Sequence, residues 1–237
     1  MSRSGELPGA SSRWRHTPAD SPLSPDVSVT TYLPRVPTQR PPVARQPIWT
    51  TAGVLLGHEY LYRSRVGRPA GVDLWRAERQ DIASASVLRS VFEETGRAAN
   101  SDTLVFVNVT RSFLVRDRPL PEHLGRLVLE IVESVPGDEG VVLGLRRLRA
   151  RGYRIAIDDF SATPDQIAML PHADFVKIDC RDLLAQGERL LEIGGGFGAR
   201  LIAERVETPE LVSHCAKLGF GLLQGDALGP AVTMPLL

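Results

Sequence analysis

The chain has 237 residues, of which 43% are hydrophobic and 24% are charged, and its 28 basic side chains balance its 28 acidic ones. This composition can bury a sizeable core, which excludes a collagen-like chain, a wholly disordered chain and a small disulfide-stapled protein. A neutral chain has no overall field that attracts nucleic acid or an acidic membrane, so local groups must hold any anionic ligand. We therefore predict neither a nucleic-acid partner nor a membrane partner.

The cysteines and the apolar runs indicate a location for the protein. Cys180 and Cys215 lie far apart in the sequence and have no neighbours at metal-ligand spacing, which is typical of reduced, buried thiols. No apolar run reaches the ~18 residues of a membrane span, and the N-terminal segment lacks the apolar region of a secretory signal. These features predict a cytoplasmic protein.

The N-terminal segment differs in composition from the rest of the chain. Residues 1–42 contain eight of the 18 prolines together with many Ser and Thr residues and almost no hydrophobic periodicity. Such a segment cannot bury enough apolar surface to offset its chain entropy. We predict a disordered tail over residues 1–42 and one folded domain over residues 43–237.

Within the folded domain, short apolar runs alternate with longer helix-like segments. The predicted strands are Val54–Leu56, Leu104–Val109, Leu127–Val132, Arg154–Ile157, Phe175–Ile178, Leu201–Ala203 and Gly221–Leu223. Alternation of strand and helix predicts parallel strands with crossover helices. This number of units favours an α/β fold of the modified TIM-like (β/α) barrel type. An open doubly wound sheet is the alternative, although no glycine fingerprint follows the first strand.

Several helices between the strands carry clear boundary signals. Amphipathic segments predict helices over 139–150, 164–170 and 209–218. Gly152 should end the first of these as a left-handed residue, and Thr208 should cap the last, with Pro209 at its first position. The glycine-rich segment Gly194–Gly198 precedes a strand rather than opening a helix, so we predict a flexible connection there and not a phosphate loop.

Polar side chains follow the apolar runs at the points where the predicted strands end. They are Asn108, Glu130, Asp158, Asp159, Lys177, Glu204, Glu207 and Gln224. In a parallel barrel these ends meet at one mouth, where barrel active sites are built. One acidic residue at a strand end is usually a turn residue or a helix cap, but polar residues at the ends of six predicted strands favour a shared site.

The residue types at this mouth predict its chemistry. Clustered carboxylates repel one another and raise their own pKa values unless cations neutralise them. Carboxylate and carboxamide oxygens without convergent His or Cys suit Mg²⁺ or Mn²⁺. Two such ions can hold a phosphodiester and lower the pKa of a bridging water. Lys177 interrupts an apolar run, which predicts a partnered lysine in the mouth.

These residues lie in motifs that resemble the EAL domain family of cyclic di-GMP phosphodiesterases. The motifs, in family order, are Gln46-Pro47-Ile48, Gly57-His58-Glu59-Tyr60-Leu61-Tyr62-Arg63, Val107-Asn108, Leu129-Glu130-Ile131-Val132-Glu133-Ser134, Ile157-Asp158-Asp159-Phe160, Val176-Lys177-Ile178-Asp179, Ala203-Glu204-Arg205-Val206-Glu207-Thr208 and Gln224-Gly225. The sequences of several motifs are most similar to those in the EAL half of EAL–HDOD proteins, although no HDOD half follows here.

The resemblance implies a barrel that binds two Mg²⁺ or Mn²⁺ ions and hydrolyses cyclic di-GMP to linear pGpG in bacterial second-messenger signalling. By position, it implies metal ligands at Glu59, Asn108, Glu130, Asp158, Asp159 and Glu207. Lys177 would orient or deprotonate the attacking water, and Glu204 would act as an acid–base or positioning group.

The remaining positions have supporting roles in the family. Gln46 and Arg63 would face the nucleotide, with Arg63 at a phosphate, and Gln224 would support the site. Glu133 would steady the loop that follows the paired aspartates. The resemblance also allows a homodimer whose contact involves that loop.

The loop after the paired aspartates departs from the family pattern. Segment 161–166 lacks the usual glycines and tyrosine and contains Pro164, which should stiffen and re-aim the loop. Arg205 replaces a usual glycine and adds a cation beside the site. These departures leave an alternative function open, in which the domain is a cyclic di-GMP receptor or a protein-interaction module with little or no turnover.

Overall fold

A computed structural model describes residues 42–94, 102–116, 118–122 and 125–234. All but the last residue of the tail predicted for residues 1–42 lie outside these ranges. The described residues contain nine strands: β1 (Val43–Thr50), β2 (Leu55–Tyr62), β3 (Leu104–Val109), β4 (Leu127–Ile131), β5 (Arg154–Ile157), β6 (Phe175–Asp179), β7 (Arg200–Glu204), β8 (Leu222–Leu223) and β9 (Val232–Thr233).

Helices occupy the connections between the strands. They are α1 (Ala77–Arg89), α2 (Arg111–Val115), α3 (Glu139–Ala150), α4 (Pro164–Met169), α5 (Cys180–Gln186), α6 (Arg189–Gly195) and α7 (Pro209–Lys217). A π-helical turn, Ser90–Glu94, continues α1, and 3₁₀ turns span Val72–Leu74 and Leu170–His172. None of the helices in the described ranges is long and apolar enough to cross a membrane.

The strands close into a barrel. Strands β2 to β8 pair in parallel and in chain order, and β1 lies antiparallel between β8 and β2. In this closure Gln46 is opposite Glu59, and Trp49 is opposite Leu223. The short strand β9 pairs with the outer part of β1. The predicted TIM-like barrel is therefore confirmed, and the open sheet is excluded.

The helix boundary signals act as predicted. Helix α3 spans the predicted residues, its Asp138 cap accepts a hydrogen bond from Val141, and Gly152 beyond its end has a φ of 87°. Thr208 Oγ1 accepts a hydrogen bond from the Leu211 amide at 3.3 Å at the start of α7.

Two segments differ from the prediction. The strand predicted over Val54–Leu56 is an eight-residue strand that continues to Tyr62, because its polar residues pair with β1 across the barrel closure. The flexible connection predicted over Gly194–Gly198 begins inside α6, since Gly194 and Gly195 form the last turn of that helix. Gly194 packs against Val176, and a Cβ there would lie 3.3 Å from that side chain.

The core has two layers because successive side chains of a strand point to opposite faces. One layer fills the barrel and consists of Ile48, Leu104, Phe106, Val128, Ala156, Phe175, Ile202 and Leu222, with Leu56 packed against it. The larger layer lies between the strands and the helices and includes Val105, Val107, Val109 and Ile131. The inner layer ends just below the mouth at the C-terminal ends of the parallel strands.

Candidate active site

Strand alternation carries the polar side chains to the barrel mouth. Two residues beyond Phe106 in the inner core layer is Asn108, and two beyond Phe175 is Lys177. The same spacing relates Glu130, Asp158, Glu204 and Gln224 to the inner residues of their own strands. Because side chains two residues apart in a strand point to the same face, each of these side chains points toward the barrel axis, one layer above the apolar inner layer of the core.

Lys177 lies at the centre of this polar layer. Its side chain is 1% exposed, and its Nζ lies 2.8 Å from Glu130 Oε1 and from Glu204 Oε1. The same ammonium lies 3.0 Å from Asp158 Oδ1 and 3.3 Å from Glu59 Oε2. Carboxylates from β2, β4, β7 and the residue after β5 thus converge on one cation from β6, as the interrupted apolar run predicted.

Amide side chains hold Glu59 from its other sides. Asn108 Nδ2 donates to Glu59 Oε1 at 3.0 Å, and Gln224 Nε2 donates to Glu59 Oε2 at 2.6 Å. Gln224 Nε2 also lies 3.2 Å from Gln46 Oε1, and Gln46 Nε2 lies 3.4 Å from Asp226 Oδ1. This chain of hydrogen bonds links β1, β2, β3 and the end of β8 across the closure of the barrel.

The acidic groups of the cluster differ in their charge states. Burial raises the pKa of Glu130 well above its ordinary value, and the nearby Glu59 charge adds to the effect. Burial likewise raises the pKa of Asp158 to about 6 and that of Glu204 to about 8, against the attraction of Lys177. Burial opposes ionisation of Glu59 too, but Lys177 and the amide hydrogen bonds outweigh it and lower its pKa.

Lys177 itself stays charged. Burial alone would lower its pKa, but the charges of Asp158, Glu130, Glu204 and Glu59 raise the pKa well above its ordinary value. One ammonium cannot neutralise four carboxylates, so in the absence of other cations protons bind some of these carboxylates and neutralise the surplus negative charge. A site of this kind exchanges protons for cations when cations bind.

The oxygen atoms of the cluster suit a hard divalent cation. Among the described side chains, the buried Asn108 Oδ1 and Glu130 Oε2 have no hydrogen-bond partner. Buried oxygens with unused lone pairs are costly unless a cation or a water meets them. In the ranges that the structure describes, no three His, Cys, Asp or Glu side chains stand at the spacing of a preformed metal site, which agrees with the carboxylates being gathered on the ammonium. The donor set fits Mg²⁺ or Mn²⁺ by its chemistry.

Most of the sequence-predicted site residues line one cavity of about 350 Å³. They are Gln46, Glu59, Asn108, Asp158, Asp159, Lys177, Glu204, Glu207 and Gln224. Glu130 lies beneath the cavity floor, fully buried, and reaches the others through Lys177. Asp159 is half-buried, and burial raises its pKa. Glu207 is exposed at the rim.

Two predicted residues lie outside this cavity. Arg63 is buried and lines a neighbouring cavity of about 250 Å³, where its Nη1 donates to the Tyr62 carbonyl at 3.3 Å. Burial lowers the pKa of Arg63, while the Glu59 charge acts in the other direction. Glu133 lies exposed in the turn after β4, and its charge contributes to the raised pKa of Asp159. The roles predicted for both residues stay predictions.

Two further side chains shape the site, and of these the sequence analysis had singled out only Arg205. Gln166 is 3% exposed and hydrogen-bonds to the backbone on both sides of Asp159. Arg205 Nε pairs with Asp179 Oδ2 at 2.9 Å at the cavity rim, from a residue whose φ is 52°. For Arg205 the signal was its place between two acidic motif residues. No pattern in the sequence marked Gln166 as buried.

The structure is thus an α/β barrel with an acidic, lysine-centred mouth at the C-terminal ends of its parallel strands. Such a mouth is suited to metal-assisted chemistry. Residues 46–231 match the family described as EAL domain. The chain therefore belongs to the EAL domain family.

Among curated relatives, the chain is 30% identical over 197 residues to the cyclic di-GMP phosphodiesterase CdgJ of Vibrio cholerae, covering 77% of this chain and 42% of CdgJ. It is 28% identical over 190 residues to the uncharacterized protein YuxH of Bacillus subtilis, covering 77% of this chain and 45% of YuxH. The chain thus spans less than half the length of these relatives.

Solved structures share the fold. The PaMucR phosphodiesterase in a c-di-GMP complex superposes with a TM-score of 0.69 at 23% identity, covering 82% of this chain and 98% of that one. The Bacillus subtilis YkuI protein, which has an EAL domain and was solved with c-di-GMP and calcium, superposes with a TM-score of 0.67 at 24% identity over 82% of this chain and 55% of that one. Klebsiella pneumoniae BlrP1, in a manganese and cyclic di-GMP complex, gives a TM-score of 0.65 at 23% identity over 83% and 57%.

Proposed function

We propose that the chain is a metal-dependent phosphodiesterase that hydrolyses cyclic di-GMP to linear pGpG in bacterial second-messenger signalling. The observation that carries the proposal is the convergence of four carboxylates on Lys177, with buried oxygens of Asn108 and Glu130 left unpaired beside them. Family membership and the named activity of CdgJ support the same substrate. The free, buried cysteines are consistent with our placing the activity in the cytoplasm.

The metal-binding part of the proposal uses six side chains. The oxygens of Glu59, Asn108, Glu130, Asp158, Asp159 and Glu207 would hold two Mg²⁺ or Mn²⁺ ions. When bound, such ions polarise a phosphodiester and lower the pKa of a bound water. Calcium and manganese in the solved complexes of YkuI and BlrP1 support the use of a divalent ion.

Lys177 and Glu204 would serve the proton chemistry. With its pKa held well above the ordinary value, the Lys177 ammonium donates hydrogen bonds and orients a water, and it is a poor acceptor for that water's proton. Glu204, whose pKa burial raises to about 8 in the metal-free chain, would act as the acid–base or positioning group. It can take up the proton that the attacking water loses and pass a proton to the oxygen that leaves the phosphorus.

Substrate contacts would come from the rim and from the neighbouring cavity. Gln46 and Gln224 line the acidic cavity, and Arg63 lines the cavity beside it. Burial of the Arg63 guanidinium strengthens any contact that it makes with a phosphate oxygen. The same resemblance leads us to propose a homodimer, which light scattering of the purified chain would test.

Turnover of cyclic di-GMP by the purified chain tests the proposal directly. With Mg²⁺ or Mn²⁺ the chain should release pGpG, and Glu59→Ala should abolish the release because it removes an acidic group at the centre of the cluster. Glu139→Ala is the matched control, since Glu139 is exposed on α3 and does not line the acidic cavity. A folded wild-type chain that produces no pGpG with either metal would contradict the enzymatic function.

The altered loop after Asp159 supports a second candidate function, in which the domain binds intact cyclic di-GMP or a protein partner without turnover. Calorimetry separates the two cases. Binding of cyclic di-GMP without hydrolysis would favour the receptor, and absence of any binding would favour an interaction module.

A further inference from the structure

The loop after β5 holds two residues in a backbone conformation that side chains rarely adopt. Asp159 has a φ of 42°, and Ala162 has a φ of 59°. Left-handed conformations are unfavourable for residues other than glycine, and for alanine more than for aspartate, so surrounding contacts must hold them. The contacts that hold this loop therefore decide where the Asp158 and Asp159 carboxylates point.

Gln166 supplies those contacts from inside the loop. Its Oε1 accepts from the Ser161 amide at 2.9 Å and from the Thr163 amide at 3.3 Å. Its Nε2 donates to the Asp159 carbonyl at 3.0 Å and to the Asp158 carbonyl at 3.3 Å. Both lone pairs of the amide oxygen and both amide hydrogens are thus used within one loop.

Neighbouring residues fix Gln166 in turn. It is the third residue of α4, and Thr163 Oγ1 accepts a hydrogen bond from the Gln166 amide at 3.3 Å, which forms a capping box. Asp165 Oδ1 accepts from the Gly137 amide at 2.9 Å, and only glycine leaves room for the Asp165 carbonyl at that point. Helix α4 is therefore anchored to the turn that precedes α3, and its first turn cannot easily shift.

We propose that Gln166 is a positioning residue that sets the carboxylates of Asp158 and Asp159 for divalent-metal binding. The inference rests on the proposed function only in taking these aspartates as metal ligands. Gln166 touches no reacting atom. Its hydrogen bonds to the backbone of residues 158–163 hold a loop whose left-handed positions are occupied by Asp159 and Ala162 rather than by glycine.

Two substitutions test the role, and a second glutamine provides a matched control. Gln166→Glu keeps the shape of the side chain but replaces the amide nitrogen, which donates to two carbonyls, with a carboxylate oxygen that can only accept. Gln166→Met keeps the length of the side chain but removes its hydrogen bonds. Gln80 is also buried, and its Nε2 donates to two consecutive carbonyls, those of Val72 and Asp73, each at 3.2 Å. Gln80→Glu and Gln80→Met therefore impose the same chemical changes outside the loop.

The first measurement is Mn²⁺ binding by titration calorimetry of the nucleotide-free chain, at a temperature where circular dichroism shows every variant folded. Both Gln166 variants should bind Mn²⁺ roughly 10–100-fold more weakly than wild type, the usual effect of removing a group that orients a metal ligand. The Gln80 variants should keep the wild-type affinity. Unchanged affinity in the Gln166 variants, or an equal loss in the Gln80 variants, overturns the inference.

The second measurement is hydrogen exchange without metal. The amides of Ser161 and Thr163 should lose protection in Gln166→Met, and those of α3 should not. Exchange that is unchanged at both amides also overturns the inference. If Mn²⁺ binding depends on Gln166 but cyclic di-GMP is not hydrolysed, then the phosphodiesterase proposal fails and the role of Gln166 stands. A wild-type chain that binds no Mn²⁺ overturns both.

Discussion

In metal-free buffer, the protein should become less stable as the pH rises from about 5 to about 8, because the native mouth holds protons that the unfolded chain releases. Glu204 has a native pKa of about 8 against an ordinary 4.5, and Asp158 has one of about 6 against 3.8. A carboxyl with a raised native pKa binds its proton more tightly when folded. Its contribution is therefore full below the ordinary pKa and is lost as the pH rises through the native pKa.

The size of the effect follows from these pKa values. At about 1.4 kcal/mol for each pH unit, the gap between 4.5 and about 8 corresponds to roughly 5 kcal/mol for Glu204 alone, and the gap for Asp158 to roughly 3 kcal/mol. The two share Lys177, so their effects do not add. Glu59 acts in the opposite sense, with its lowered pKa, but only below 4.5. We expect a net loss of roughly 3–5 kcal/mol across this range.

Urea unfolding in EDTA at several pH values measures this loss. Glu204→Gln, a neutral side chain of the same shape, should flatten the profile and make the metal-free protein more stable than wild type at the alkaline end. Adding Mg²⁺ to wild type there should restore stability, because cations take the place of the protons. A metal-free free energy of unfolding that stays level or rises over this range would refute the reasoning.

Three further predictions concern single side chains. Lys177→Met should abolish hydrolysis and lower the free energy of unfolding by about 3–5 kcal/mol, because it leaves buried carboxylates without their cation. Urea unfolding measures this loss, and a clearly smaller loss would mean that the carboxylates are solvated. Arg205→Gly relieves the strain of a φ of 52° but removes a half-exposed ion pair with Asp179, so the free energy of unfolding should change by less than about 1 kcal/mol. Calorimetry should show weaker cyclic di-GMP binding, because the variant loses a cation at the cavity rim. Unchanged binding would show that Arg205 does not contact the nucleotide. Gly144→Ala should cost about 1–3 kcal/mol in thermal unfolding, because the new Cβ would meet the Leu114 carbonyl, and it should leave Mn²⁺ affinity unchanged.

The barrel and the position of its site could be predicted because two periodic patterns coincide. Apolar residues such as Phe106 and Phe175 alternate along their strands, and a polar residue follows two positions later, at Asn108 and Lys177. Parallel strands place all such residues at one mouth, so spacing within each strand is enough to assemble the cluster without knowledge of the helices.

Other elements could not be predicted because their stability depends on partners that are distant in sequence. Strand β1 carries Arg45 and Gln46, and its pairing with β2 and β8 closes the barrel. Helix α1 buries Gln80 and Asp81 on its inner face, so it lacks the apolar stripe that marks an amphipathic helix. In both elements, polar side chains find their hydrogen-bond or ionic partners only in the folded chain, as Gln46 does with Gln224 and Asp81 with Arg118.

Gln166 shows the same limit at the scale of one side chain. The sequence places it in the first turn of α4, where a glutamine is a usual helix residue that could equally face solvent. Its burial follows from the path of the preceding loop, and that path depends on the left-handed Asp159 and Ala162. Local propensity therefore predicts the helix but not the hydrogen bonds that give the residue its proposed function.

The charge balance of the mouth is the physical reason to favour the enzyme over a binding module. A barrel that served only as a scaffold would gain stability from apolar residues at buried positions such as Glu130 and Lys177, since buried ion pairs seldom recover their desolvation cost. Here the mouth keeps more buried carboxylates than Lys177 can neutralise, and it leaves Asn108 Oδ1 unpaired among the described residues. At a pH where the carboxyls lose their protons, that arrangement costs stability in the metal-free protein, and cations bound where the surplus charge lies would offset the cost. Phosphodiester hydrolysis would use such cations, because they would stabilise the charge that develops on the phosphate oxygens, and this is our reason to propose the enzyme rather than the binding module.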